Sequence, residues 1–213
     1  MDKIEAATAK LAALLPDDRA ALLELARATV QQYNAAILAG DDTAETEANA
    51  TYQAIVWKMN GGTFFGCDDS SREDAGGVVT AQYCAAEPGT IPVWGQRGEF
   101  LIVAEGVAAV VELTDSHSDS LWPHFSFYAV DNKQDFISET GYQSHFCHPQ
   151  RGKHLEDLAT EIFAGLLRTC RRPLSREYRE RAALDSWAWL HFPTEEPQGG
   201  RREDAEGQFS FGF

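Results

Sequence analysis

Long hydrophobic runs are missing from this 213-residue chain, and its start, Met1-Asp2-Lys3-Ile4-Glu5, lacks a basic patch followed by an apolar stretch. A bilayer span needs about 20 apolar residues in succession, and a signal peptide needs its charged and apolar regions in that order. The expectation is a cytoplasmic protein with no membrane contact. Cysteine is scarce: Cys67, Cys84, Cys147 and Cys170 stand far apart with no Cys-x-x-Cys among them. That removes the common structural zinc pattern and suits reduced thiols better than disulfides. There is no Gly-x-x-x-x-Gly-Lys-Ser/Thr phosphate loop, Gly-x-Gly-x-x-Gly turn, Gly-x-Ser-x-Gly elbow or His-Glu-x-x-His helix. The familiar nucleotide-binding and hydrolase chemistries therefore lack their carriers, and no cofactor is named by any motif.

Positive charge is the other shortage, with 18 Lys and Arg against 33 Asp and Glu, net -15. Residues 1–145 hold 8 basic against 22 acidic side chains, whereas residues 146–213 hold 10 against 11. A surface with that surplus repels phosphates and anionic headgroups and attracts cations. It predicts no direct nucleic-acid contact and a basic protein partner engaged by electrostatic complementarity. The densest acid, Asp68, Asp69, Glu73 and Asp74, lies in one loop without calcium-loop spacing, and is the candidate partner-binding surface or else simply a solvated one.

What is present is ordinary globular material: 44% hydrophobic and 24% charged residues, in a chain long enough for a genuine core. A short amphipathic segment with Leu11, Leu14 and Leu15 stops at Pro16. Asp17 and Asp18 then open a stronger helix whose apolar face holds Leu22, Leu25, Ala26, Tyr33, Ala36 and Ile37, ending at Gly40. Asp41 or Asp42 caps a third helix, which stops at Asn60-Gly61-Gly62. Strand composition follows near Val78–Cys84, Phe100–Ala104, Val107–Leu113, Phe125–Val130 and Asp135–Ser138, with a tight turn at Glu105-Gly106. Links this short force antiparallel pairing. Helical periodicity returns from Gly152 to Pro173 and again from Ser175 to Leu190, before a tail ending in three phenylalanines, expected to dock on the body or on a partner. The fold class is α+β: an N-terminal helical segment (1–60), an α+β domain (61–192) with a central antiparallel β-sheet and C-terminal helices packed on it, and a flexible tail (193–213).

The densest reactive side chains are His145, Cys147 and His148, which could ligate a metal through imidazole and thiolate, or supply a thiolate nucleophile activated by a histidine. Ser138, Thr140, Tyr142 and Ser144 set hydroxyls around Gly141, as a ligand site or as a satisfied turn.

The stretches Trp122-Pro-His-Phe-Ser-Phe-Tyr-Ala-Val-Asp131 and Phe136-Ile-Ser-Glu-Thr-Gly-Tyr-Gln-Ser-His-Phe146 resemble an uncharacterised protein family carried by bacterial plasmids, integrative elements and prophages. The resemblance implies a bacterial mobile-element setting in which small accessory proteins antagonise host defence, and it transfers no activity. The functional expectation is a non-catalytic acidic accessory protein that binds a basic partner, for example by inhibiting a host nucleic-acid-binding defence protein. The second reading is a small enzyme or metal-binding protein using the His/Cys loop, and the oligomeric state is left open.

Overall fold

Capping chemistry sets the ends of the first helices. In the computed structural model, which describes residues 3–115, 121–181 and 187–190, α1 (Lys3–Ala12) is followed by α2 (Arg19–Ala39) and α3 (Asp42–Met59). The Asp18 carboxylate accepts the Ala21 N–H at 2.8 Å, satisfying a donor that the first turn of α2 leaves open. Gly40 closes α2 with φ 70°, a left-handed conformation that a glycine adopts without a Cβ penalty. Asp41 accepts from Thr43 and Ala44 and starts α3 at once. So short a link turns α2 and α3 into an antiparallel pair. Lys58 near the end of α3 donates to the carbonyls of Ala12 and Leu15 and pairs with Asp17 at 2.7 Å, clamping the α1–α2 connection onto α3.

The run expected as a strand near Val78–Cys84 is a helix, α4 (Gly76–Cys84), which packs on α2 and α3. Val78, Val79 and Thr80 favour strands locally, but tertiary contact overrides that preference. The Gly76 N–H donates to Asn60 Oδ1, and a Cβ on Gly76 would stand 2.6 Å from the Asn60 nitrogen. Gly76 thus brings the start of α4 against the end of α3, and Thr80, Ala81 and Cys84 are buried at helical spacing.

Four strands form an antiparallel sheet in the order β1-β2-β3-β4: β1 (Gly98–Ala104), β2 (Val107–Asp115), β3 (Pro123–Ala129) and β4 (Tyr142–Phe146). Glu105 (φ 50°) and Gly106 (φ 74°) make the two-residue turn between β1 and β2, with the paired positive φ angles that match strand twist. Strand alternation sends Phe100, Ile102, Val111, Leu113, Phe125 and Phe127 to one face. There α5 (Leu155–Cys170) covers them, stacking Phe163 on Phe127 at 5.6 Å. The α+β architecture expected from the sequence is therefore the observed one.

Two further differences concern the ends of the sheet. Tyr142–Phe146, expected as turn and loop, is the edge strand β4, while the expected strand Asp135–Ser138 contributes an isolated bridge between Phe136 and Arg172. The last expected helix is described as α6 (Arg176–Arg181), and Trp187–Leu190 lies outside a helix. The aromatic tail falls outside the described residues.

Replacing Gly76 by alanine drives a Cβ into the backbone of α3, and lowers unfolding stability by about 1–3 kcal/mol, the usual cost of overpacking. Urea denaturation measures this. An unchanged midpoint would mean that α4 does not need this close approach.

Candidate functional site

Because α2 commits Leu22, Ala26, Val30, Tyr33 and Ile37 to the core, its opposite side is a solvent stripe. Ala20, Glu24, Arg27, Ala28, Gln31, Gln32 and Ala35 are exposed along it at three- and four-residue spacing. Tyr83, in the last turn of α4, organises the middle of that stripe. Its hydroxyl donates to Glu24, and the Arg27 guanidinium lies 4.4 Å from its ring centroid. The Glu24 contact raises the tyrosine pKa above its ordinary value, so the hydroxyl stays a donor. Arg27 is thereby held by an aromatic ring with about half of its side chain in solvent.

The face of the sheet away from α5 carries polar and aromatic side chains in register. Glu112 lies between Glu99 and Ser126, and Ser126 is opposite Ser144. Tyr128 donates to Glu112 at 2.8 Å, and burial, with Glu112 second, raises its pKa. His124 stacks on Phe146 at 4.1 Å and meets the Thr114 hydroxyl at 3.2 Å. Trp187 sits edge-on to Tyr128, and the Trp189 indole donates to Glu99, so these rings line part of this face.

The hydroxyl cluster read from the sequence closes a turn. Ser138 Oγ donates to the Tyr142 carbonyl at 2.7 Å and accepts its N–H at 3.0 Å, while Thr140 lies 3.3 Å from Ser138. Ser144 stands apart from them, inside β4. Gly141 has φ 67°, and its missing Cβ leaves room for the Tyr178 ring.

The histidines and cysteine do not converge. His145 lies opposite Phe125 on the core side of β4, Cys147 packs against the core, and His148 meets the Trp122 ring at 5.0 Å. Among the described residues no three His, Cys, Asp or Glu side chains gather as metal ligands would. Burial pushes the Cys147 thiol up to about 11, opposite to what a thiolate nucleophile requires. Asp68, Asp69, Glu73 and Asp74 are exposed in the α3–α4 connection, where Asp69 accepts from Ser71 and Asp74 pairs with Arg72. The Ser71 hydroxyl holds Asp69 below the usual carboxylate range.

Comparison with known proteins supplies what this geometry alone does not. Residues 7–83, from α1 through most of α4, match a domain family described as the KlcB N-terminal DNA-binding domain, and residues 97–189 match the KlcB third domain. Two KlcB domain models thus match successive parts of the chain. Two curated relatives are both Protein KlcB of Escherichia coli. One is 44% identical over 187 residues, covering 85% of this chain and 46% of that protein; the other is 40% identical over 195 residues, covering 91% and 42%. The chain thus spans about half the length of the curated relatives it matches. No solved structure matches it significantly.

The KlcB match corrects two expectations. A non-catalytic role toward a basic protein partner, and the exclusion of direct nucleic-acid contact, both rested on the acidic N-terminal part, yet that part matches a family described as DNA-binding. Residues 7–83 hold five basic against eleven acidic side chains, net -6, so total charge was a misleading guide. Binding depends on which groups face the ligand, because charges more than a Debye length of about 8–10 Å away are screened. Arg27, Gln31 and Gln32 are side chains that a charge total does not single out. The signal was available: they occupy the solvent side of the helix whose apolar face was identified.

A raised Cys147 pKa has a measurable consequence. Peptide-resolved iodoacetamide labelling of the native protein is expected to proceed about 100-fold more slowly at pH 8 than for a thiol of ordinary pKa near 9, and to accelerate with pH until about 11. The folded state keeps this proton longer than the unfolded chain, so the stability it contributes is present below pH 9 and declines between 9 and about 11. Labelling at the rate of an unhindered thiol would contradict the burial.

Proposed function

We propose that the N-terminal helical unit binds double-stranded DNA through the exposed face of α2. The observation that carries this reading is the match of residues 7–83 to a domain family described as DNA-binding. The geometry of α2 supports it. A helix of 21 residues is about 30 Å long, and its width suits the major groove of B-DNA. Ala20, Ala28 and Ala35 keep the stripe low, so that Arg27, Gln31 and Gln32 can reach base edges. Arginine pairs with guanine and glutamine with adenine through two hydrogen bonds each. Tyr83 limits the rotation of Arg27 before binding, which reduces the entropy lost on contact. A bacterial cytoplasm is the setting this reading expects, and the resemblance of the central segment to proteins of mobile elements supports a DNA target on or near such an element.

The test is fluorescence anisotropy of the full chain with a duplex pool, followed by selection of preferred sites from random sequence. Arg27→Ala is expected to weaken binding to a selected site about 5- to 150-fold, corresponding to about 1–3 kcal/mol for a lost bidentate contact. Gln31→Ala is expected to relax preference at one base position. Thermal melts establish that each variant is folded. Failure of the folded wild-type chain to bind any duplex at low salt, or wild-type affinity in Arg27→Ala, would overturn the reading.

A further inference from the structure

DNA binding raises a question of charge supply. Contacts to the phosphate backbone provide much of the affinity for a duplex, yet the N-terminal unit has few cations to spare. Of its five basic residues, Lys58 is committed to Asp17 and two carbonyls, and Arg72 to Asp74. Lys10, Arg19 and Arg27 remain, the last 3.8 Å from Glu24, in a unit of net -6.

The missing cations stand elsewhere in the fold. Residues 168–181, from the last turn of α5 through α6, hold six arginines and two glutamates, net +4 in a chain of net -15. Arg168, Arg171, Arg172, Arg176 and Arg179 are all exposed. Their backbone is pinned: Arg172 exchanges both backbone hydrogen bonds with Phe136, at 2.8 and 2.9 Å, and the Ser175 N–H donates to the Glu139 carbonyl at 2.8 Å. Leu174 is buried, and the Tyr178 hydroxyl donates to the Ala129 carbonyl. Among the described residues, Arg172 and Arg179 each spend only Nε on a nearby carbonyl, leaving the terminal nitrogens of the guanidinium. Among the described residues no carboxylate lies within ion-pair distance of Arg171, Arg172 or Arg179. Arg168 pairs with Glu105 and Arg176 with Glu180, through side chains that are mostly exposed, where such pairs contribute about 0–1 kcal/mol and yield to a stronger anion. Asp131, Asp135 and Glu139 on the neighbouring loop keep the surrounding field moderate, so contact depends on the arginines directly.

We infer that the arginine strap of residues 168–181 is a second nucleic-acid contact, which grips the phosphate backbone of DNA while α2 reads bases. This rests on the DNA-binding reading above. The strap meets phosphates without sequence preference, since a guanidinium fork matches phosphate oxygens and carries no base information. It supplies the salt-sensitive part of the affinity.

The experiment compares the full wild-type chain, a triple Arg171→Ala, Arg172→Ala, Arg176→Ala variant and the same three positions as lysine. Each is titrated with a selected duplex from about 50 to 200 mM salt, and separately with anionic phosphatidylserine vesicles. Each phosphate contact contributes about 0.9 to the slope of log affinity against log salt. The alanine variant is expected to lose between 2 and 3 from that slope, roughly, and to bind about tenfold or more weakly at low salt, while the lysine variant keeps the slope. Sequence preference stays the same in all three. An unchanged slope in a folded alanine variant, with Arg27→Ala still weakening binding, removes this inference and leaves the α2 reading intact. Absence of any duplex binding by the wild type removes both. Arginine-dependent binding to vesicles without a matching loss on DNA would assign the strap to a lipid surface and likewise overturn the inference.

Discussion

Trp94 joins the helical part of the molecule to its sheet. The residue is fully buried, its backbone N–H donates to the Asn34 side chain on α2, and its indole N–H donates to the Lys153 carbonyl just before α5. Gly95 follows with φ 89°, a conformation that brings the chain against Tyr33 and Leu121 without a Cβ in the way. Next to Lys153, Gly152 donates its N–H to the Ile37 carbonyl at the end of α2. Burying an indole while satisfying its one donor combines a large apolar contribution with no unpaired polar group. The result is one continuous core from α2 and α3 to β3 and α5.

That constraint determines what the surface can offer. With its inner face held by Trp94 and the core, α2 cannot rotate, and the stripe containing Arg27 and Gln31 is presented to solvent by default. Tyr83 then positions Arg27 from the side, through an α4 that exists because Gly76 admits close contact with α3. The chain's negative charge is real but unevenly used. Lys58 serves as a structural cation, whereas Arg168, Arg171, Arg172, Arg176 and Arg179 stay at the surface on a pinned backbone. A net charge of -15 therefore coexists with local surfaces of opposite character.

Much of the fold was legible in the chain because the deciding interactions are short in range. Asp18 and Asp41 cap helices through bonds two or three residues away, Gly40 ends α2 by its own φ angle, and Glu105-Gly106 turns β1 into β2 in two residues. The misread elements have the opposite property. Val78–Cys84 looks like a strand until Asn60 and α2 are placed beside it, and β4 is a polar edge strand whose Gln143, Ser144 and His145 give little apolar alternation. The candidate site was legible only in part. Hydroxyls at Ser138 and Thr140 stood out as chemistry and proved to hold their own turn, while the α2 stripe was hidden by an average over charge.

From the amino-acid order alone came the ends of α2 and α3, the hairpin, the antiparallel sense of the sheet and the α+β class, since each follows from steric and hydrogen-bonding preferences among near neighbours. Tertiary structure decided that α4 is a helix, that Cys147 is a half-buried thiol with a raised pKa, and which side of α2 faces water. Those outcomes depend on pairs far apart in the chain, Gly76 with Asn60, Tyr83 with Glu24, Gly141 with Tyr178, whose proximity exists only once the core has closed.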